Sequence, residues 1–119
     1  MPEVSVLMSV YNGEEYIQES IDSILNQTYS DFELIVINDA STDQTRDIIE
    51  SYQDERIRLF NFEKNKGVGT ALKFGLSKVK GRYIAKADAD DINHPERLFT
   101  QRSFLDNNPD IALVKAFIE

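Results

Sequence analysis

Three aspartates stand within four positions of one another, directly after a short apolar segment. Asp88, Asp90 and Asp91 follow Tyr83-Ile84-Ala85, a segment typical of a buried strand. Carboxylates this close repel one another, and burial would raise their pKa values, so the cluster needs either full solvation or a neutralising cation. Oxygen ligands in an Asp-x-Asp pattern suit hard divalent ions such as Mg²⁺ or Mn²⁺. The pattern indicates a metal site at a strand end, with a solvated acidic turn as the alternative.

The composition limits the classes of partner. A chain of 119 residues has room for one domain with a real core. Its formal net charge of -8 repels nucleic acid and anionic membranes, so we expect no nucleic-acid partner. A phosphate-bearing ligand would need a local exception, such as a bound metal ion. The absence of cysteine excludes disulfides, thiol catalysis and thiolate metal sites.

Strand-like and helix-like segments alternate along the chain. Strands are predicted at residues 4–10, 32–37, 57–62, 83–87 and 111–114, and a helix is predicted in each interval, the last at 95–107. The first strand is almost continuously apolar, as in a sheet that is buried on both faces. This order predicts an α/β fold, doubly wound, with a mostly parallel sheet and helices on both faces. Because the chain stops soon after the last strand, we expect it to be truncated.

Local signals predict where individual helices begin and end. Ser41-Thr42-Asp43-Gln44 matches a capping box, which predicts that the second helix begins at Ser41. Gly81 is predicted to close the third helix. The alternating pattern of residues 57–62 predicts a strand with one less buried face, near an edge of the sheet.

Polar side chains follow three of the predicted strands. The carboxyl ends of parallel strands meet at one edge of a sheet, and ligands bind there, where the strand order switches. The residues concerned are Ser9, Tyr11 and Asn12 after the first strand, Asn38 and Asp39 after the second, and Asp88, Asp90 and Asp91 after the fourth. Turn chemistry explains each group singly, but the three together predict a binding site.

Two other motif families do not fit. Gly67-Val68-Gly69 is only part of a dinucleotide-binding fingerprint, because Leu72 replaces the last glycine and the motif follows the third strand instead of the first. An EF-hand loop starting at Asp88 would need a glycine at position 93 and a glutamate at position 99, which are Asn93 and Phe99.

Motifs spread along nearly the whole chain resemble those of family 2 glycosyltransferases. The chain is similar to the amino-terminal, donor-binding half of these enzymes, which have the GT-A fold. The matching segments, in the family's order, are Val4–Asn12, Ser23–Tyr29, Val36–Asp43, Asn65–Gly67, Asp88–Asp91 and His94–Leu98. No single segment is decisive, but the ordered set is specific.

The resemblance implies a role for each candidate residue. Tyr11 would lie against the nucleotide base, Asp39 would accept a hydrogen bond from it, and Ser9 and Asn12 would line the same end of the site. A uracil imide is a natural donor to Asp39, so UDP is favoured over GDP or dTDP. The remaining assignments are Lys66 and Gly67 beside the nucleotide, Asp88 at the ribose, and Asp90 with Asp91 at an Mn²⁺ or Mg²⁺ ion.

The resemblance also implies an activity and a setting. Residues 1–119 would be the nucleotide-sugar-binding half of an inverting, metal-assisted hexosyltransferase, with the acceptor-binding half absent and the general base beyond residue 119. We therefore expect this half alone to be weakly active or inactive. The acceptor would be a glycan or lipid-linked molecule in bacterial polysaccharide biosynthesis, and the location cytoplasmic, at the inner face of the membrane. The alternative is a non-catalytic nucleotide-sugar-binding or interaction module of the same fold.

Overall fold

Strands and helices alternate in a computed structural model, which describes residues 2–89 and the backbone of residues 113–115. The predicted helix at 95–107 lies outside the described residues, as do Asp90 and Asp91. The elements are β1 Val4–Val10, α1 Ile17–Leu25, β2 Phe32–Asn38, α2 Thr45–Glu50, β3 Ile57–Asn61, α3 Val68–Leu76, β4 Tyr83–Asp88 and β5 Leu113–Lys115. No helix among the described residues is long and apolar enough to cross a bilayer.

The strands form one parallel sheet in the order β3-β2-β1-β4-β5. From β1 the chain adds β2 and then β3 on one side, and it crosses back to add β4 and β5 on the other. The switch in strand order therefore lies between β1 and β4, which is where open α/β sheets bind their ligands. The predicted doubly wound, mostly parallel fold is confirmed.

Helices cover both faces of the sheet, as predicted. Helices α1 and α2 pack on one face through Ile17, Ile21, Ile24 and Ile49, and α3 packs on the other through Ala71. Successive β1 side chains point to opposite faces, so that Val4, Val6, Met8 and Val10 join the first core and Leu7 joins the second. Burial on both faces explains why β1 and β2 read as continuous apolar runs.

Strand β3 lies at the edge of the sheet, as its alternating sequence predicted. Its first four residues are half-buried and Asn61 is exposed, whereas every residue of β2 beside it is buried. An edge strand has one neighbouring strand instead of two, so it buries less of its surface and tolerates charged residues such as Arg58.

The second helix begins at Thr45, four residues later than the capping box predicted. The side chain of Ser41 caps no helix, because its hydroxyl oxygen accepts a hydrogen bond from the Asn12 backbone N–H at 2.9 Å. Asp43 takes the capping part instead and accepts the Thr45 N–H at 2.9 Å. A long-range contact has displaced the local motif.

The third helix ends at Leu76, and the prediction that Gly81 closes it is wrong. After Leu76 the chain tightens through hydrogen bonds from Ser77 N–H to the Phe74 carbonyl and from Lys78 N–H to the Gly75 carbonyl. Gly81 serves a close approach, because a Cβ there would lie 2.6 Å from the Ser5 nitrogen. Its N–H donates to the Ser5 hydroxyl at 2.8 Å, which fixes the chain where it enters β4.

Candidate functional site

The carboxyl ends of β2, β1 and β4 lie side by side and form the edge that carries the candidate residues. Ser9 in β1 is in register with Ile37 of β2 and with Asp88 of β4. Val10 is in register with Asn38, and its carbonyl accepts the Asp39 N–H at 2.9 Å. The predicted residues among those described therefore share one edge, at the switch in strand order.

Asp39 is fixed by two backbone N–H groups that come from the start of α3. One carboxylate oxygen accepts the Lys66 N–H at 2.7 Å and the other accepts the Gly67 N–H at 2.9 Å. The Asn65 side chain also donates to the Asp39 carbonyl oxygen at 3.2 Å. Asp39 is buried, and each carboxylate oxygen has a second lone pair for a further donor. The residue thus presents a preorganised acceptor at the strand end.

Gly67 has a backbone that only glycine adopts readily. Its φ of 90° and ψ of 160° fall in a region that L side chains avoid, although nothing lies within 4 Å of the position of a Cβ. This conformation turns the Gly67 N–H towards Asp39 at the start of α3. The backbone N–H of Lys66 lies in the site, where it donates to Asp39. The Lys66 ammonium instead lies over the Phe62 ring, 4.8 Å from the ring centroid.

We expect Gly67→Ala to destabilise the chain by about 1–3 kcal/mol through backbone strain alone. Gly69→Ala is the matched control, because Gly69 lies in α3 with nothing within 4 Å of a Cβ and no positive φ. Since alanine costs less backbone entropy than glycine in a helix, the control should gain about 0.5 kcal/mol. Urea denaturation of both variants measures the difference, and equal effects would contradict the strain.

Asn12 joins the loop after β1 to the loop after β2. Its side-chain oxygen accepts the Thr42 N–H at 2.7 Å, and its backbone N–H donates to Ser41. Its φ of 52° is left-handed, a conformation that asparagine tolerates better than most residues. Asn12 therefore holds the two loops together beside Tyr11, through its backbone N–H and its side-chain oxygen.

A second set of bonds extends this link towards α2. The Gly13 N–H donates to the Thr45 hydroxyl at 2.8 Å, and the Glu14 N–H donates to Asp43 at 3.2 Å. In return the Gln44 N–H donates to the Glu14 carboxylate at 2.9 Å. Burial alone would raise the pKa of Asp43, but hydrogen bonds from Thr45 and the Glu14 backbone hold it below its ordinary value. No local motif indicates these pairings, which join residues about 30 positions apart.

Tyr11 stands at the mouth of the site. Its residue surface is 48% exposed, which is unusual for a large aromatic residue directly after a buried strand. It precedes Asn12, whose bonds to Ser41 and Thr42 fix the backbone there. An exposed ring on a fixed backbone, near the buried acceptor Asp39, offers a planar base both a stacking surface and a hydrogen bond.

Asn38 and Ser9 contribute less directly. Asn38 is buried; its amide donates to Asn61 at 2.9 Å and its oxygen accepts the Ser41 N–H at 3.2 Å. It therefore supports the loop that carries Asp39. Ser9 is half-buried at the end of β1, in register with Asp88, on the side of the switch where a ligand would lie.

Asp88 ends β4 with its side chain 49% exposed. Its carboxylate lies 3.3 Å from the Lys86 ammonium, and its carbonyl oxygen accepts a hydrogen bond from the buried Ser20 hydroxyl at 3.2 Å. The backbone is thus fixed from α1 while the carboxylate faces solvent. Asp90 and Asp91 lie outside the described residues, and no group of three potential metal ligands occurs within the described part.

The donor set at the end of β4 nevertheless fits a hard divalent cation. The side chain of Asp88 is about half exposed, and two further carboxylates follow in the sequence. Lys86, 36% exposed, neutralises only part of this charge. Oxygen ligands of this type suit Mg²⁺ or Mn²⁺.

Comparison with known proteins identifies the family. Residues 5–118 match the sequence profile of glycosyl transferase family 2. A glycosyltransferase of Haemophilus influenzae whose function is uncharacterised is 42% identical over 120 residues, which cover 99% of this chain and 37% of that protein. The chain thus spans less than half the length of this relative.

Solved structures show the same architecture. TarS of Staphylococcus aureus, residues 1–349, in complex with UDP-GlcNAc, has a TM-score of 0.83 and 32% identity over 88% of this chain and 31% of that one. The mannosyltransferase PcManGT of Pyrobaculum calidifontis, in complex with GDP-Man and Mn²⁺, has a TM-score of 0.79 and 29% identity over 87% of this chain and 32% of that one. With this fold and this profile match, the chain belongs to glycosyltransferase family 2 and has the GT-A fold.

Proposed function

We propose that residues 1–119 form the donor-binding half of an inverting, metal-dependent glycosyltransferase that uses a UDP-sugar. One observation carries the proposal: an exposed aromatic ring, a fixed buried acceptor and an exposed carboxylate lie along the same sheet edge. These are Tyr11, Asp39 and Asp88. Across β2, β1 and β4 in turn, Asp39 and Tyr11 would contact the base and Asp88 would contact the ribose, which follows the base in a nucleotide.

The base end of this site favours uracil. Each oxygen of Asp39 already accepts one backbone N–H, and the remaining lone pairs suit an imide donor. Tyr11 supplies the stacking surface. TarS, which is 32% identical to this chain, has been solved with UDP-GlcNAc, and this supports a UDP-sugar over the GDP-sugar bound by PcManGT at 29% identity.

The diphosphate end requires compensation of charge. The total formal charge of -8 and the aspartates after β4 would repel a diphosphate. We propose that Asp90, supported by Asp91, holds a divalent ion there, as the Mn²⁺ in the PcManGT complex suggests. When bound, the ion would stabilise the negative charge that builds on the leaving nucleotide. Asp88 would bind the ribose hydroxyls.

The acceptor half and the general base would lie in the remainder of a longer protein. An inverting transfer needs a base that takes the proton of the acceptor hydroxyl, and we propose that it lies beyond residue 119. The acceptor would be a glycan or a lipid-linked molecule, with the enzyme peripheral to the cytoplasmic face of the membrane. Residues 1–119 alone would bind the donor and transfer weakly or not at all.

Calorimetric titration of UDP tests the proposal. Binding should require Mn²⁺ or Mg²⁺, and Asp90→Ala should abolish it. Asp31→Ala is the control, because Asp31 is exposed at the opposite end of β2 and should leave binding unchanged. Binding of UDP without metal and unaffected by Asp90→Ala would contradict the metal role. Tighter binding of GDP or dTDP would contradict the preference for uracil.

Turnover separates an enzyme from a binding module. A longer protein that contains residues 1–119 should release UDP from its UDP-sugar faster when acceptor is present, and Asp90→Ala should stop the release. Tight donor binding with no release under any condition would instead support a non-catalytic module.

A further inference from the structure

Charge is distributed very unevenly along the chain. Residues 57–80, which run from β3 through α3 to the start of β4, contain six of the 13 basic residues and only one of the 21 acidic residues, Glu63. This segment therefore carries a formal charge of +5 in a protein whose total charge is -8. The excess of positive charge is therefore concentrated in one continuous segment of an otherwise acidic chain.

The fold gathers most of these charges around β3 and α3, whereas Lys80 lies in a groove that Asp31 and Glu55 also line. Strand β3 is the edge of the sheet and α3 covers the sheet face next to it. Phe74 of α3 packs edge-on against Phe60 and Phe62, with ring centroids 5.5 and 5.3 Å apart. Lys78 lies 5.3 Å from the Phe74 centroid, and Lys66 lies over Phe62. The cations thus surround one aromatic cluster.

The ammonium groups of five lysines in this segment form no ion pair with a carboxylate of the described residues. Arg58 forms an ion pair with Glu33 at 2.8 Å, but none of the lysines does so with any described carboxylate. We call the surface that they form, together with the exposed side of α3, the basic face. Its lysines are Lys64, Lys66, Lys73, Lys78 and Lys80.

Apolar side chains are exposed on the same face. Val68 is 61% exposed and Leu76 is 49% exposed, at the two ends of α3. Phe60, Phe62 and Phe74 line a shallow groove of about 670 Å³ that also contains Lys64 and Lys66. The face therefore presents apolar side chains as well as positive charge.

We propose that the basic face docks on an anionic membrane surface. Basic residues mixed with exposed apolar side chains are the combination that binds at a lipid interface. Here Lys73, Val68 and Leu76 lie in α3, and the other lysines lie in the segments on either side of it. Lysine stems cover apolar surface while their ammonium groups reach the headgroups. Each lysine near an anionic leaflet strengthens binding by about fivefold, so the lysines of this face act against the repulsion from the overall negative charge.

The position of the basic face would serve the proposed transfer, and this consequence rests on the proposed function. The N-terminus of α3 follows Gly67, whose N–H donates to Asp39 in the donor site. Docking through α3 would therefore place the edge of the donor site at the membrane surface. A lipid-linked acceptor would reach the site without leaving the bilayer.

Vesicle flotation tests the docking. The chain should bind vesicles of phosphatidylcholine mixed with phosphatidylglycerol, bind phosphatidylcholine alone at least about tenfold more weakly, and lose affinity as salt increases. Lys73→Glu should weaken binding to the mixed vesicles by about tenfold, and Leu76→Ser by about threefold. Arg46→Glu is the matched control: Arg46 is also an exposed helical cation, but it lies in α2 on the opposite sheet face and should change binding less than twofold.

A parallel UDP titration separates this proposal from the donor site. UDP binding without vesicle binding would overturn the docking and leave the donor site standing, whereas vesicle binding without UDP binding would do the reverse. If Lys73→Glu weakens UDP binding but not vesicle binding, the basic face steers the anionic donor and the docking is wrong. Equal loss of vesicle binding in Lys73→Glu and Arg46→Glu would indicate non-specific attraction and would overturn the docking. Displacement of the protein from vesicles by heparin, with no effect of Leu76→Ser, would indicate a soluble polyanion as the partner and would also overturn the docking.

Discussion

Asp39→Asn should lower the affinity for UDP about 10- to 100-fold and destabilise the fold by about 2 kcal/mol. The carboxylate accepts backbone N–H groups from Lys66 and Gly67, one on each oxygen. An asparagine amide has only one oxygen, so its NH₂ group would face one of these N–H donors. That backbone N–H and the asparagine NH₂ group, both donors, would then lack an acceptor, which costs about 1–3 kcal/mol. The uracil imide would also lose a charged acceptor, worth about 1.5–3 kcal/mol.

Two measurements separate these effects. Urea denaturation gives the free energy of unfolding, and calorimetry at a temperature where the variant is fully folded gives the UDP affinity. Asp31→Asn removes a carboxylate at an exposed position before β2, at the other end of that strand, and should change neither value appreciably. If Asp39→Asn loses stability but binds UDP normally, the residue only anchors α3 and the proposed contact with the base is wrong.

Glu33→Ala should cost about 3–4 kcal/mol of stability, the largest effect that we expect from a single substitution. Glu33 is buried on β2, yet it accepts hydrogen bonds from the Ser5 hydroxyl at 2.5 Å, the Lys80 N–H at 2.7 Å and the Arg58 guanidinium at 2.8 Å. Removing one partner of a buried ion pair costs about 3–5 kcal/mol, because the other charge stays behind. Arg58 is 28% exposed, so water recovers part of this loss.

The contribution of Glu33 should depend on pH. Burial alone would raise the pKa of Glu33, but the hydrogen bonds from Ser5, Lys80 and Arg58 and the positive charge of Arg58 hold it below its ordinary value of 4.5. A carboxylate with a depressed pKa in the folded state stabilises the protein fully above its unfolded pKa, and this stability is lost as the pH falls through the folded pKa. The advantage of wild type over Glu33→Gln should therefore be constant near pH 7 and shrink below about pH 4.5.

Urea denaturation between pH 3 and pH 7 measures this advantage. Glu33→Gln keeps the shape and one acceptor oxygen, so it separates the charge from the packing. Glu55→Gln is the control, because Glu55 is exposed and forms no hydrogen bond through its side chain among the described residues. A difference between wild type and Glu33→Gln that stays the same from pH 7 to pH 3 would contradict a depressed pKa.

The two carboxylates act at opposite ends of the same helix. Asp39, just after β2, holds Lys66 and Gly67, where α3 begins. Glu33, at the start of β2, holds Lys80, just beyond the end of α3. Because α3 runs antiparallel to the strands across one sheet face, β2 fixes both ends of the helix through buried acceptors. The donor site and the basic face therefore both depend on the position of α3.

The pattern of residue types determined the layered architecture. Continuous apolar runs at β1 and β2 require burial on both faces, and the alternation at residues 57–62 indicates an edge strand; both are confirmed. Parallel strands bring their carboxyl ends to one edge, so the sequence also determined that Tyr11, Asp39 and Asp88 lie near one another. These features follow from periodicity and handedness, which are local or topological properties.

Only the tertiary structure decided which polar groups pair. The capping box at Ser41 is a sound local motif, but Asn12, 29 positions earlier, takes the Ser41 hydroxyl, and α2 begins at Thr45. Glu33 reads as an ordinary strand residue until the fold brings Arg58 and the Lys80 N–H to it. A side-chain hydrogen bond forms with whichever partner the packed backbone brings within about 3 Å, and sequence spacing does not encode that distance. The residue types and their order therefore set the sheet, the helices and the edge of the site, whereas packing alone chose the bonds that fix Asp39 and Tyr11 in place.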